Sequence, residues 1–535
     1  MPQKRPFNEG KRHFKKNKKQ KNATGIEGSN EDVLTADVRR MLQEVKTPVD
    51  HDVFSQAPEH LAQVELEITE LSSTGDGLAR KNAQVYVVPF VAPGDHVVAK
   101  VYKTSEDASY HLTDLVRVIS PSPHRTETPP CPHFARCAGC QFQHLSYDYQ
   151  LAHKRRVVEQ AYRTFSGLPA ASVPPVRETA ASPLLYGYRT KLTPHFDGPP
   201  GGRRDKKRGQ KVTWPEVPPI GFMLKGTRRT LDIEDCPIGT EAVRRGMKSE
   251  RKRVKDNIDD FQRGATLLCR ESTRRIEKSA DAEEDPEEGV VVEDVGQHVH
   301  RKTCITDQNA ISTEYVDDYR FDNPAGAFFQ NNNSVLPLVT QYIRYNILGQ
   351  AASTEGDGEA EQPPIKNMVD AYCGSGFFTI MLSSMFSHSI GIDISPQSIA
   401  SASRNAQLNH LPEGTTRFIA ADANDLFASI DTDRFRPRET AVVIDPPRKG
   451  CDVSFIRQLL RYGPARVCYV SCNVHTQARD VGWLVQGIAD GEAEGSPGRY
   501  EIESIRGFDF FPQTSHVEGV AILRRRGGDV AHGDE

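Results

Sequence analysis

Two segments late in the chain carry side chains that could serve as a nucleophile and a general base on one pocket. Val470-Ser471-Cys472-Asn473 carries a thiol, and His516-Val517-Glu518 carries a carboxylate. Carbon 5 of a uracil is too weak a nucleophile to attack a sulfonium methyl group unaided. If a thiolate first adds to carbon 6, the ring becomes an enolate and carbon 5 gains carbanion character. After methyl transfer, a base must remove the carbon-5 proton before the thiol can leave. Cys472 is the candidate nucleophile and Glu518 the candidate base. A lone cysteine at a strand end is more often a buried hydrophobe, and Cys468 reads that way. A lone glutamate is more often a surface carboxylate. The combination with the motifs below separates Cys472 and Glu518 from those readings.

A first apolar strand ends in Asp370-Ala-Tyr-Cys-Gly374-Ser-Gly376, and the next ends in Asp393, nineteen residues past Gly374. Glycines there let the main chain approach a nucleotide at a helix N-terminus, and the carboxylate can accept both ribose hydroxyls. A dinucleotide fingerprint would place a third glycine at Thr379, where there is none. S-adenosylmethionine therefore fits better than a dinucleotide. A fourth strand ends in Asp445-Pro446-Pro447-Arg448, whose prolines stiffen the exit and fix Asp445 at the crevice mouth. An aromatic in place of Arg448 would suit methylation of exocyclic amines, and its absence points elsewhere. Separately, Cys131-x5-Cys137-x2-Cys140 with a distant Cys236 suits an iron–sulfur cluster, and zinc is the alternative.

These residues need elements to position them. From Asn367 onward short apolar strands alternate with helical patterns, implying a parallel doubly wound sheet with a ligand crevice at the carboxyl ends of its strands. Between about 59 and 120, period-2 runs around Val64-Leu66-Ile68, Val85–Val88 and Val97-Ala99-Val101 alternate with Gly/Pro turns, describing a small antiparallel β-barrel. Such barrels bind nucleic acid or serve as scaffolds. Residues 1–58 are polar and Lys-rich and read as disordered. Residues 121–325 form a mixed α+β region, and residues 281–288 and 353–364 are inserts.

The formal net charge of −4 hides segregation. Residues 1–22 hold nine Lys/Arg against Glu9, and further basic runs span 203–211 and 244–255. Such runs attract phosphates, although the first also suits a solvated tail or a nuclear-import address. No apolar run reaches the roughly 18–20 residues of a membrane span, and basic first residues with no apolar core behind them lead to the expectation of no signal peptide. Irregularly spaced cysteines fit a reducing compartment. An intracellular protein is expected, nuclear or cytoplasmic, with the mitochondrion a further option.

Taken together, Asp-Pro-Pro-Arg, Ser-Cys-Asn and His-Val-Glu resemble the RNA uracil-C5 methyltransferase family. The resemblance implies a TRAM β-barrel over 59–120, a central domain over 121–325 with a 4Fe–4S cluster in many members, and a class I Rossmann-like methyltransferase domain over 326–535. It implies cofactor contacts from Gln330, Tyr372, Asp393, Asp422 and Asp445, with Cys472 as nucleophile and Glu518 as base. Cys131, Cys137, Cys140 and Cys236 match the cluster ligands. The basic tail and acidic inserts are most similar to the fungal tRNA branch, which acts on the T-loop uridine at position 54, and a monomer bound to tRNA is expected. Methylation of cytosine C5 or of ribosomal RNA, and an RNA-folding factor with an inactive domain, stand as alternatives. The chain departs from the family pattern at Val474, where proline is usual, and at Phe377, where many members have asparagine.

Overall fold

The computed structural model describes residues 27–43, 58–105, 109–126, 128–199, 213–278, 288–349, 363–421, 427–488 and 500–526. The first 22 residues, the basic run 203–211, nearly all of both inserts and Asp422 lie outside the described residues.

Helix α1 (Asn30–Gln43) falls within the stretch expected to be disordered. Its mean composition is polar, but Leu34, Val38 and Met41 recur at helical spacing and pack on Leu78, Val85, Val87 and Tyr110. Strands β1 (Gln63–Glu67), β2 (Glu70–Leu71), β3 (Gly77–Lys81), β4 (Gln84–Val88), β5 (His96–Thr104) and β6 (Tyr110–Ser120) form the sheet beneath it, in the order β1-β5-β6-β4-β3-β2. It is not purely antiparallel as expected, because β4 runs parallel to β6.

Helix α2 (Tyr147–Phe165) and strand β7 (Arg177–Ala180) follow. Helix α3 (Glu241–Asp256) carries the basic run 244–255, with the Thr240 hydroxyl capping its first turn. Its arginines are committed within the protein, Arg244 to Asp235, Arg245 to Glu241, Arg251 to Asp232 and Arg253 to Glu250. Strands β8 (Cys269–Glu277), β9 (Val291–Val295) and β10 (His298–Ile305) pair in the order β9-β10-β8, beside the hairpin of β11 (Ile311–Val316) and β12 (Tyr319–Pro324).

The doubly wound sheet has the expected strands β13 (Asn367–Ala371), β14 (His388–Asp393), β15 (Thr416–Ala420), β16 (Thr440–Ile444) and β17 (Arg466–Ser471), with α4 (Phe377–Leu382) and α5 (Pro396–Leu408) among the crossovers. Helix α6 (Val474–Gln486), β18 (Tyr500–Phe508) and β19 (Glu518–Arg525) complete it in the order β15-β14-β13-β16-β17-β19-β18-β7. The first five run parallel, and every residue of β13, β16 and β17 is buried, so their sequences read as apolar runs without alternation. The eighth strand, β7, comes from far earlier in the chain, and α2 packs into the core of the same sheet through Val157, Val158, Ala161 and Tyr162. Among the described residues no helix is long and apolar enough to cross a membrane.

Candidate active site

Strands β17 and β19 are antiparallel, and the register that pairs Ser471 with Gly519 carries Cys472 opposite Glu518. Buried Gln477 on α6 donates to the carbonyls of Tyr469 (2.8 Å) and Gly519 (3.0 Å), stapling both strands beside that point. Glu518 is 6% exposed, and His516 Nε2 stands 3.4 Å from its Oε1. Burial pushes the Cys472 thiol up to about 12, the Glu518 and Asp445 carboxylates push the same way, and the hydrogen-bonded Arg448 opposes them. Cys468 is a fully buried core residue, as its spacing suggested.

The loop that carries Arg448 is tied down from α6. Asp480 accepts from the Cys451 N–H (2.7 Å), and Gly450 turns the chain at φ +76°. Asn473 donates through Nδ2 to the Arg448 carbonyl and to the Gly28 carbonyl, both at 3.0 Å. The second bond draws the segment before α1 into the site. Gly28 has φ +71°, and a Cβ on it would come within 2.6 Å of Thr476 Cγ2. Arg479 pairs with Glu27 at 3.1 Å. Gly28, Asn30, Ser73, Arg448, Cys472 and His516 are among the residues around a cavity of about 120 Å³. A cavity of about 150 Å³ holds benzene, so this one has the scale of a single six-membered ring. Neither Arg448 as a partner of the thiol nor the 27–30 wall was legible in the sequence, and the latter has no signal in its polar composition.

The candidate cofactor crevice lies at the ends of β13 and β14. Gly374 (φ +54°) has open space where a Cβ would stand. The Asp393 carboxylate accepts from the Gly374 N–H at 3.0 Å and the Ser395 N–H at 2.8 Å, which orients it and leaves lone pairs for two hydroxyls. Ile394 beside it is 68% exposed, an apolar face next to the candidate ribose position. Asp370, buried, accepts from the N–H and hydroxyl of Thr379, and burial raises it to about 7. Lost solvation, then the Glu518 and Asp370 carboxyls, push the Asp445 carboxyl well above the usual range. Tyr372 (φ +66°) lays its ring 5.3 Å from Phe455, and Gln330 is half-buried in the loop before the helix Leu336–Ile347. Phe377 is buried against Phe321, Phe329 and Phe378 and so offers the crevice no polar group. These glycines, turned amides and oriented carboxylate fit an adenosine-type methyl donor.

Cys131, Cys137, Cys140 and Cys236 line one cavity of about 420 Å³. Burial raises three of these thiols, Cys140 to about 11 and Cys236 to about 12, with the neighbouring thiols adding to each shift. The cysteine loop is fastened to the segment before Glu518, since the Gln141 and Phe142 N–H groups both donate to the Gln513 carbonyl at 2.9 Å. Among the described residues no group of three or more His, Cys, Asp or Glu already converges as metal ligands. The donor set nonetheless suits a thiolate-bound centre.

Residues 319–526 match the family described as tRNA (Uracil-5-)-methyltransferase, and residues 61–108 match the TRAM domain. The tRNA (uracil(54)-C(5))-methyltransferase of Schizosaccharomyces pombe is 43% identical over 489 residues, covering 91% of this chain and 82% of the relative. The Saccharomyces cerevisiae protein of the same name is 40% identical, covering 93% and 78%. The fold is shared with the crystal structure of Pyrococcus abyssi tRNA (uracil-54, C5)-methyltransferase in complex with S-adenosyl-L-homocysteine, at TM-score 0.56 and 22% identity over 86% of this chain and 100% of that one. With fungal relatives this similar over most of both sequences, the chain belongs to the tRNA (uracil-5-)-methyltransferase family.

Proposed function

We propose that the protein transfers a methyl group from S-adenosylmethionine to carbon 5 of uridine 54 in tRNA, through a covalent bond between Cys472 and carbon 6. Both yeast relatives carry this activity in their names. The observation that carries it is Cys472 opposite Glu518, with Arg448 at the thiol and Asp445 within reach of the Glu518 charge. The target ring leaves its stack and enters the pocket, at a cost of about a few kcal/mol. S-adenosylmethionine in the crevice supplies a sulfonium methyl open to attack by carbon. Arg448 favours the anionic sulfur that adds to carbon 6. Once carbon 5 is methylated, Glu518 takes its proton, the 5,6 double bond re-forms and the thiolate is expelled.

Asp393 and Asp445 are the proposed anchors of the methyl donor, and Gln330, Tyr372 and Asp422 further contacts on the family pattern. Cys131, Cys137, Cys140 and Cys236 are proposed to hold a 4Fe–4S cluster, with zinc the alternative. The role is structural, because sulfonium methyl transfer moves no single electron. Metal content and visible absorption of the purified protein separate the two metals. The protein is proposed to act as an intracellular monomer, in the nucleus or cytoplasm, with the mitochondrion the other candidate compartment.

Mass spectrometry of tRNA nucleosides from cells lacking the protein should show 5-methyluridine lost. Cys472→Ala should abolish turnover and covalent RNA adducts while retaining binding of the methyl donor. Glu518→Gln should accumulate a methylated adduct, and product release at the wild-type rate by that variant would remove Glu518 as the base.

A further inference from the structure

Strands β8 and β10 and the β11–β12 hairpin border a third cavity, of about 490 Å³, that the methyl-transfer steps leave unused. Four arginines line it, Arg274 and Arg275 from β8, Arg301 from β10 and Arg320 from β12. Hydroxyl-bearing residues such as Thr303 and Tyr315 supply much of the remaining wall, and no Asp or Glu is among the described lining residues. Register sets Arg274 directly opposite Arg301. That register places both guanidinium groups on the same face of the sheet, towards the cavity.

Two of the guanidinium groups are already aimed. Arg275 lies over the Tyr315 ring at 4.2 Å, donates to His300 Nε2 (3.0 Å) and the Asp317 carbonyl (2.7 Å), and stands 3.4 Å from the exposed Asp318 carboxylate. Arg320 is gripped by both oxygens of Asp322, at 2.9 and 2.7 Å. Planar forks held in place match phosphate oxygens in pairs and lose little freedom on binding. Arg274 is exposed, and its guanidinium makes no hydrogen bond or ion pair with another described residue. The same strand starts near the methyl-donor crevice, where Arg270 pairs with Glu314 and reaches Asn331, next to Gln330. Four residues of extended chain put Arg274 about 14 Å further along, a distance an RNA strand leaving the pocket covers within a few nucleotides.

We infer that this cavity binds phosphodiester groups of the RNA substrate away from the target uridine, and so sets the orientation in which the tRNA docks. The inference rests on the tRNA-methylation reading above. Its test is the affinity of the full chain for an unmodified tRNA transcript as a function of salt. The Arg274→Ala/Arg301→Ala double variant should bind roughly tenfold more weakly, with the slope of log affinity against log salt reduced by about one for each phosphate no longer neutralised. Arg274→Lys/Arg301→Lys should recover most of that slope. Binding of S-adenosylmethionine by both variants serves as the check on folding. Affinity and slope equal to wild type would overturn the inference. So would protection of the cavity by inorganic phosphate or AMP with unchanged tRNA binding, which would make it a site for a small free anion. Wild-type methyl transfer to tRNA is read separately, so the docking site can fail while the enzymatic reading stands.

Discussion

In the free protein the Cys472 thiol is held neutral, pushed up to about 12, whereas addition to a pyrimidine requires the thiolate. The thiolate fraction therefore rises about tenfold for each pH unit gained below that value. Arg448 is the neighbouring group that pulls the other way. Replacing it with alanine should move the pH profile of Cys472 alkylation to higher pH and lower methyl transfer by about 100-fold. A profile displaced to lower pH in Arg448→Ala would contradict this role. The placement of Cys472, Glu518, Asp393 and Asp445 at strand ends could be read from the sequence, because each borders an unmistakable apolar run. Arg448 could not, since its direction depends on bonds from Asn473 and Asp480, across 25 to 29 residues of chain.

Among the elements, α2 matters for more than its apolar face. Lys154 on it is fully buried and pairs at 2.5 Å with the equally buried Asp509, and it also donates to the Phe511 carbonyl at 3.1 Å. Those contacts hold the segment leading to Glu518. The segment is also a partition, with Thr514 facing the cysteine cavity and Ser515, His516 and Val517 facing the ring-sized pocket. Lys154→Met leaves a buried carboxylate without its cation and should cost about 3–5 kcal/mol in urea unfolding. A loss below 1 kcal/mol would mean that Asp509 is held by other groups. The partition was not legible, because it depends on contacts more than 350 residues apart. The α3 arginines carry carboxylate partners close in sequence, Asp235, Asp232 and Glu250, so their charge is partly balanced within the helix and its flank.

For the whole molecule, the sequence showed the order of barrel, mixed region and doubly wound sheet, since periodicity and glycine turns are local signals. It did not show that β7 closes the edge of that sheet, because Arg177-Glu-Thr-Ala180 has no strand pattern of its own. A fragment of residues 326–535 lacks β7 and α2. It should bare the β18 edge and the core face against which Val157, Val158 and Tyr162 pack. Such a fragment is expected to aggregate when the full chain stays soluble, measured by gel filtration after matched expression. A monodisperse, folded 326–535 fragment would show that the sheet is complete without its borrowed strand.

Gly28 and Asn473 are 445 residues apart yet share one hydrogen bond at the edge of the pocket. Helix α1, which anchors the earlier partner, is held by one small apolar cluster, the Arg40–Glu70 ion pair and the hydrogen bonds from Ser73 to Asp37, and a peripheral segment with so few anchors detaches before a domain unfolds as a unit. Thermal inactivation should therefore run ahead of melting. As the temperature climbs, methylation should fade while the circular dichroism of the sheet is still native, and recooling should restore it without refolding.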